Sequence, residues 1–311
     1  MRKTWFLLPV VVLITAPMIQ FNAAGAQSAE PVAQNTSIWQ ATILGLPNFD
    51  IRQEIADIQL PNSSAQDEAV RARLNAIDGF LSRFPQETRG DLRYEINEAG
   101  VPKEFFHLGG TLSRPSAGSP DRIARRFLTE QAAIFGLTRR EVRRLKLINE
   151  DNDQGITFLN YEQTIGGVSV FQGQVQIAIS RDGEVISVME GLIIPGGNVK
   201  TTPSLSEADA LNQAIEYAAR QATDELEVVE ARPARGDRAK YRNPLGPGLE
   251  DIMSDLRIML VGGRGVLVWR SYIEAGPSEW YEICVDANTG ALLYRYNLYA
   301  DVAQGTVFTQ H

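Results

Sequence analysis

The sequence predicts an α+β fold in which one pattern, a helix followed by antiparallel strands, is used twice. Three observations carry this. Between Gly166 and Pro195 polar and apolar residues alternate: Phe171, Gly173, Val175, Ile177 and Ile179 are assigned to one side of a strand, and Gln172, Gln174, Gln176, Ala178 and Ser180 to the other. A period of two is the signature of a half-buried strand. Arg181-Asp182-Gly183-Glu184 then supplies turn chemistry before Val185–Met189 returns as the partner strand, because Asp tolerates and Gly readily adopts positive φ. Finally, a second hairpin of the same form follows later: Trp280–Val285, a turn at Asp286-Ala287-Asn288-Thr289-Gly290, and Ala291–Leu298.

The elements follow in order. Residues 27–60 are polar and lack a clear period before Phe49, so a loosely held start is expected. Val70, Leu74, Ile77 and Leu81 form one apolar stripe over residues 67–84, which Pro85 ends. Leu92, Tyr94 and Ile96 alternate as a short strand. Ser113–Pro120 reads as a loop. Ser119-Pro120 opens a helix with an apolar side of Ile123, Phe127, Ile134 and Phe135, stopped by Gly136. Thr138-x-x-Glu141 is a capping box for a second, short helix. Leu147–Tyr161 reads as strand–turn–strand about Asp151–Gly155; this acid-rich turn lacks the glutamate of a calcium loop. Beyond Pro195, Ser204-x-x-Glu207 predicts another capping box, with a stripe of Ala208, Leu211, Ile215, Ala218 and Ala222. Residues 232–250 read as a long excursion, and Val266–Ile273 as a strand.

Arg2 and Lys3, the apolar run Trp5–Ile19 and a small-residue cleavage site at Ala24-Gly25-Ala26 before Gln27 form a secretory signal, so cleavage is expected between Ala26 and Gln27. The apolar run is shorter than the roughly 20 residues that span a bilayer. A secreted or periplasmic chain is therefore expected, with no membrane role after signal removal. The net charge of −8 disfavours nucleic acid as a partner. Arg122, Arg125, Arg126, Arg139, Arg140, Arg143, Arg144 and Lys146 make one basic region, read either as a solvated helix face or as a docking surface for an acidic partner. The single cysteine, Cys284, sits in a strand pattern and reads as a small buried hydrophobe.

Gly166-Gly167-Val168-Ser169-Val170-Phe171, Gly173-Gln174-Val175 and Asp182–Val188 resemble the FTP propeptide module of fungalysin- and thermolysin-type zinc metalloproteases. Gly100-Val101-Pro102 through Phe135-Gly136-Leu137 resembles the lead-in of that family. Ser204–Ala210 and Trp280–Leu293 resemble a PepSY-like propeptide segment. The resemblance implies two tandem cystatin-like units at 90–198 (FTP-like) and 199–300 (PepSY-like), after a signal at 1–26 and a partly helical segment at 27–89, with a truncated mature region starting at 301–311. It implies an intramolecular chaperone and inhibitor whose partner is a cognate metalloprotease catalytic domain, with zinc expected only in that domain and no cofactor in this chain. Phe171, Gln172, Gln174 and Gln176 are the candidate partner contacts.

No catalytic residues are expected. The zinc motif H-E-x-x-H needs two histidines flanking a Glu, and the chain holds only His107 and His311, neither preceding a Glu. There is no G-x-S-x-G elbow. The carboxylates Asp182, Glu184, Glu190, Glu282 and Asp286 lie on or near strands without a spacing that makes them converge. The alternatives are a free-standing envelope module that binds a peptide or polymer or inhibits a protease, and an enzyme without zinc.

Overall fold

The computed structural model describes residues 46–57, 64–97, 100–191, 193–194, 199–221, 225–232 and 237–299. The signal with its Ala26–Gln27 site, His311 and the truncated mature region expected at 301–311 lie outside these residues. The described residues all fall within one compact unit.

The fold is α+β, with a 13-stranded sheet among the described residues. A short strand β1 (Phe49–Asp50) leads into α1 (Ile51–Asp57) and α2 (Ser64–Leu81). Strands β2 (Leu92–Ile96) and β3 (Pro102–His107) precede α3 (Pro120–Glu130) and α4 (Arg139–Arg144). Then come β4 (Lys146–Asp153), β5 (Ile156–Ile165), β6 (Val168–Ile179) and β7 (Val185–Glu190). The later part holds α5 (Glu207–Tyr217), β8 (Val228–Glu230), β9 (Ala239–Tyr241), β10 (Ile252–Val261), β11 (Arg264–Gly276), β12 (Glu279–Asp286) and β13 (Leu292–Asn297).

The main strand order is β1-β13-β12-β11-β10-β6-β7-β3-β2, with the β4–β5 pair joined to β6 and the β8–β9 pair to β10. The pairings are antiparallel except one. Ser169 and Val170 of β6 pair in parallel with Arg257 and Ile258 of β10. Antiparallel sheets were expected; this pairing makes the sheet mixed and continuous. Strand β10 was not anticipated from sequence at all. Its core-facing residues Ile252, Leu256, Ile258 and Leu260 do alternate, but Asp255 and Arg257 interrupt the apolar run.

One face of the sheet carries the main core. On it α3 buries Ile123, Ala124, Phe127 and Leu128, and α5 buries Ala210, Leu211, Ala214 and Ile215. The expected stripe on α5 is shifted: Ala208 is exposed, and Ala222 lies outside the described residues. The predicted cap shifts with it. Ser206, not Ser204, accepts the N–H of Asp209. The N–H groups of Ser204 and Leu205 both donate to Ala287 O, which holds that stretch against the β12–β13 turn and delays the helix by two residues. At α3 Ser119 caps by position without a side-chain bond, and the helix ends at Glu130. Ile134 and Phe135 are buried in the turn that follows it. At α4 the box forms as written: Thr138 Oγ1 accepts from Glu141 N, and Glu141 Oε2 accepts from Thr138 N.

The expected alternation of β6 breaks at one place. Val168 and Val170 face the main core, and so do Val175, Ile177 and Ile179, which requires a change of phase between them. Gln172 supplies it with a φ of 57°. Opposite, Glu162 and Thr164 of β5 pair with Gln174 and Ser169, so residues 170–173 form an extra loop in the strand. Gly191 makes room for this loop, since a Cβ there would lie 2.0 Å from Gln172 O. The break is a fork. Before it β6 pairs with β10; after it, Val175–Ile179 pair with β7.

Candidate interaction face

The face of the sheet turned away from α3 and α5 carries a second cluster of buried residues: Phe171, Met259, Val268, Cys284 and Tyr294. Phe171 and Tyr294 meet edge to face, ring centroids 5.0 Å apart. The N-terminal segment covers them. Arg52, at the start of α1, lies over both rings at 6.0 and 5.9 Å. It is held by the Asp50 carboxylate, Nε to Oδ1 at 2.8 Å and Nη2 to Oδ2 at 2.6 Å, and its Nη1 donates to Gln172 Oε1 at 3.1 Å.

The structure thus corrects the placement of the candidate contacts. Phe171 was assigned to the side opposite the glutamines. The fork at Gln172 turns it to their side, where it is 2% exposed. Gln172 and Gln174 are exposed, and half-buried Gln176 donates to Asn160 Oδ1 at 3.0 Å. All four belong to one face, with Phe171 as a packing residue within it.

Beside the aromatic cluster runs a network of charges that sequence reasoning missed. Asp255, 1% exposed, accepts Nε and Nη2 of Arg270 at 2.8 and 2.6 Å, and Nε and Nη2 of Arg257 at 3.1 and 2.8 Å. Arg257 Nη1 reaches Glu162 Oε1 of β5 at 2.8 Å, and Ser169 Oγ donates to Glu162 Oε2 at 2.7 Å. Tyr272 Oη donates to Glu282 Oε1 at 2.7 Å. The network therefore ties β5 and β6 to β10, β11 and β12 where the sheet has its parallel pairing. The signal in the sequence was the polar set Asp255 and Arg257, two residues apart among apolar ones.

Burial works against the charge on Asp255, but the hydrogen bonds from Arg270 and Arg257 outweigh it and hold the carboxyl below its ordinary value. Burial opposes the charge of Arg270 as well, and Asp255 overrides it. Burial also pushes the Tyr272 hydroxyl up to about 12, against the lowering field of Arg270. The sign for Asp255 follows. A depressed folded pKa contributes stability that is fully present above the unfolded value of about 3.9. That stability is lost as the pH falls through the lower folded value. Urea midpoints measured from pH 6 downward should decline below about pH 4, and Asp255→Asn should flatten that decline.

The remaining candidates are occupied locally. Cys284 is fully buried, and burial raises its thiol well above the ordinary value. It should react with a thiol reagent only in denaturant; labelling of the native chain within minutes would contradict its placement. His107 stacks on Phe84 at 4.9 Å, with Nε2 3.0 Å from Thr88 O. Asp286 Oδ1 accepts the N–H groups of Asn288 and Thr289 in its own turn. Glu184 Oε2 accepts from Ser180 Oγ, and Glu282 serves Tyr272. These carboxylates do not meet at one place. Among the described residues no group of three or more His, Cys, Asp or Glu is placed to hold a metal ion. The described residues do not offer the donor set of the catalytic zinc of the resembled proteases. Among the described residues no helix is long and apolar enough to cross a membrane.

Residues 144–190 match the family described as Fungalysin/Thermolysin Propeptide Motif. The match runs from the end of α4 through β7, so it contains the forked strand and its partners. The chain contains a fungalysin-type propeptide region. It is 27% identical over 240 residues to the probable extracellular metalloproteinase 4 of Arthroderma benhamiae, covering 75% of this chain and 36% of that protein. It is equally similar, over 239 residues, to extracellular metalloproteinase 4 of Trichophyton rubrum, again over 75% of this chain and 36% of the relative. The match thus spans little more than a third of the length of these relatives. Among solved structures, the C-terminal domain of Bacillus megaterium YpeB aligns over 63% of this chain and 71% of its own at 14% identity, with a TM-score of 0.30; at that score it carries no weight for fold or function.

Proposed function

We propose that this propeptide region binds a cognate fungalysin-type zinc metalloprotease catalytic domain, assists its folding and keeps it inactive. The observation that supports this best is the motif match over residues 144–190, which coincides with the sheet segment presenting Gln172, Gln174 and Gln176 beside the charge network. The physical reading is consistent. Exported proteases often persist through slow unfolding, and a template that binds the near-native state lowers their folding barrier. A sheet that offers a face or an edge can also lie along an extended substrate cleft.

On this reading the protein is secreted or periplasmic, consistent with relatives named as extracellular metalloproteinases. Its partner supplies the zinc and the chemistry. Its two halves, 90–198 and 199–300, are tandem FTP-like and PepSY-like units of one helix-and-sheet plan, fused through the β6–β10 pairing. The test is refolding. A denatured fungalysin-type catalytic domain, diluted from guanidinium with an equimolar amount of this chain, should regain activity after the chain is digested away. Recovery no better than with serum albumin would overturn the chaperone role.

A further inference from the structure

The sheet has a free edge next to a concentration of unpaired positive charge. Strand β4 pairs only with β5, and among the described residues each of its eight residues is exposed. It is the longest of the strands with a single partner; β2 has five residues, β8 three and β1 two. Leu147 and Ile148, at its start, are among the exposed large hydrophobics. An unpaired row of N–H and C=O groups is a template for another strand. Natural edges are usually short, covered or charged; this one is long and uncovered, and its acids, Glu150, Asp151 and Asp153, are confined to the half away from α4.

The preceding helix, α4, places Arg139, Arg140, Arg143 and Arg144 on its exposed surface, and Lys146 opens β4. Val142 and Leu145 are buried and anchor the helix to the core. Among the described residues none of these five cations has an acidic partner. Arg125 of the neighbouring α3, by contrast, pairs with Asp121 and bonds the carbonyls of Val142 and Leu145. Arg139 with Arg143, and Arg140 with Arg144, are like charges four apart on a helix of six residues, an arrangement that destabilises a helix. Arg139 and Arg140 also sit at its N-terminal end, where the helix dipole disfavours positive charge. The capping box at Thr138 and the buried anchors hold the helix in spite of this. Nothing within the described fold uses the charge.

We propose that α4 and the adjoining half of β4, residues 146–149, together form a docking site for an acidic polypeptide segment in extended conformation, added as a strand along that part of the free edge. Its backbone bonds β4, its apolar side chains meet Leu147 and Ile148, and its carboxylates face Arg140, Arg144 and Lys146. Strand addition supplies the affinity and the arginines supply the sign and the orientation. The exposed backbone edge favours a polypeptide over nucleic acid or lipid, which need only the charge. The proposal does not depend on the partner being a protease.

The test uses the purified chain and a fluorescent peptide alternating Glu and Val, followed by anisotropy. The peptide should bind, and affinity should fall as salt rises. R140E/R144E should weaken binding by about tenfold or more while leaving the circular dichroism spectrum and the urea midpoint unchanged. The same peptide N-methylated at alternate residues, unable to pair its backbone, should not bind. Four results would each overturn the proposal: no binding of the Glu-Val peptide, equal binding of the N-methylated form, equal binding of a Lys-Val peptide, or equally tight binding of duplex DNA or phosphatidylserine vesicles. Because no protease enters this assay, its failure is separate from failure of the chaperone reading.

Discussion

Asp255→Ala is expected to destabilise the chain by about 3–5 kcal/mol, the cost of breaking a buried ion pair from one side. Asp255 is the shared anion of Arg270 and Arg257, whose side chains are only 9% and 11% exposed. Removing it leaves the guanidinium of Arg270 with the longer contact to Glu282, 3.4 Å, and leaves Arg257 tied to Glu162 alone. The loss is of a partner, not of net favourable charge, so replacing both ends should cost far less. Asp255→Leu combined with Arg270→Met puts apolar groups of similar size on a face already lined by Met259 and Val268, and should recover much of the deficit. Urea unfolding followed by the fluorescence of Trp269, which is buried and donates Nε1 to Leu205 O at 3.1 Å, reads both effects. A single substitution costing less than about 1 kcal/mol, the range of exposed pairs, would show that the network is no more than a surface arrangement.

Gly183→Ala is the second large effect. Gly183 turns the β6–β7 hairpin with a φ of 75°. A Cβ there would lie 2.0 Å from Ser116 O and 3.0 Å from Ile123 Cδ1. Two costs add. A left-handed backbone costs an ordinary residue about 1–2 kcal/mol. The approach to Ser116 adds about 1–3 kcal/mol of overpacking, because the atom in the way is backbone, and Ser116 N also donates to Asp182 O. Gly167 separates the two terms. Its φ is 80°, but a Cβ would meet nothing within 4 Å, so Gly167→Ala should show the conformational cost alone. Equal urea midpoints for the two variants would mean that the 111–120 loop yields freely.

These two sites mark what the amino-acid order made legible. The Asp182-Gly183 turn, the strand pair it joins, the turn at Asp286–Gly290 and the Thr138–Glu141 box could be read directly, because each is set by residues a few positions apart. The fork in β6 could not be read. The sequence alternates straight through Phe171, Gln172 and Gly173, and what breaks the pattern is the parallel pairing with Ile258, far along the chain, together with the space left by Gly191. Strand β10 was hidden for a related reason. Asp255 and Arg257 look like solvent-facing residues until partners from β5 and β11 are brought to them. The charge network was invisible as a unit, since its charged members are spread over β5, β10, β11 and β12. The helix-start signal at Ser204–Glu207 was genuine in type and displaced in position, because Ala287 takes the two N–H groups that the earlier start would have used.

On the proposed function these layers embrace another polypeptide and carry no reaction of their own. That function is tested most directly by titrating an active fungalysin-type metalloprotease with the purified chain and following cleavage of a fluorogenic peptide, with a parallel arm containing the chain alone. Activity should fall in proportion to added chain and reach a floor near equimolar amounts, while the chain alone leaves the peptide uncut, with or without chelator. Full protease activity at micromolar excess, or cleavage by the chain on its own, would contradict the proposed function.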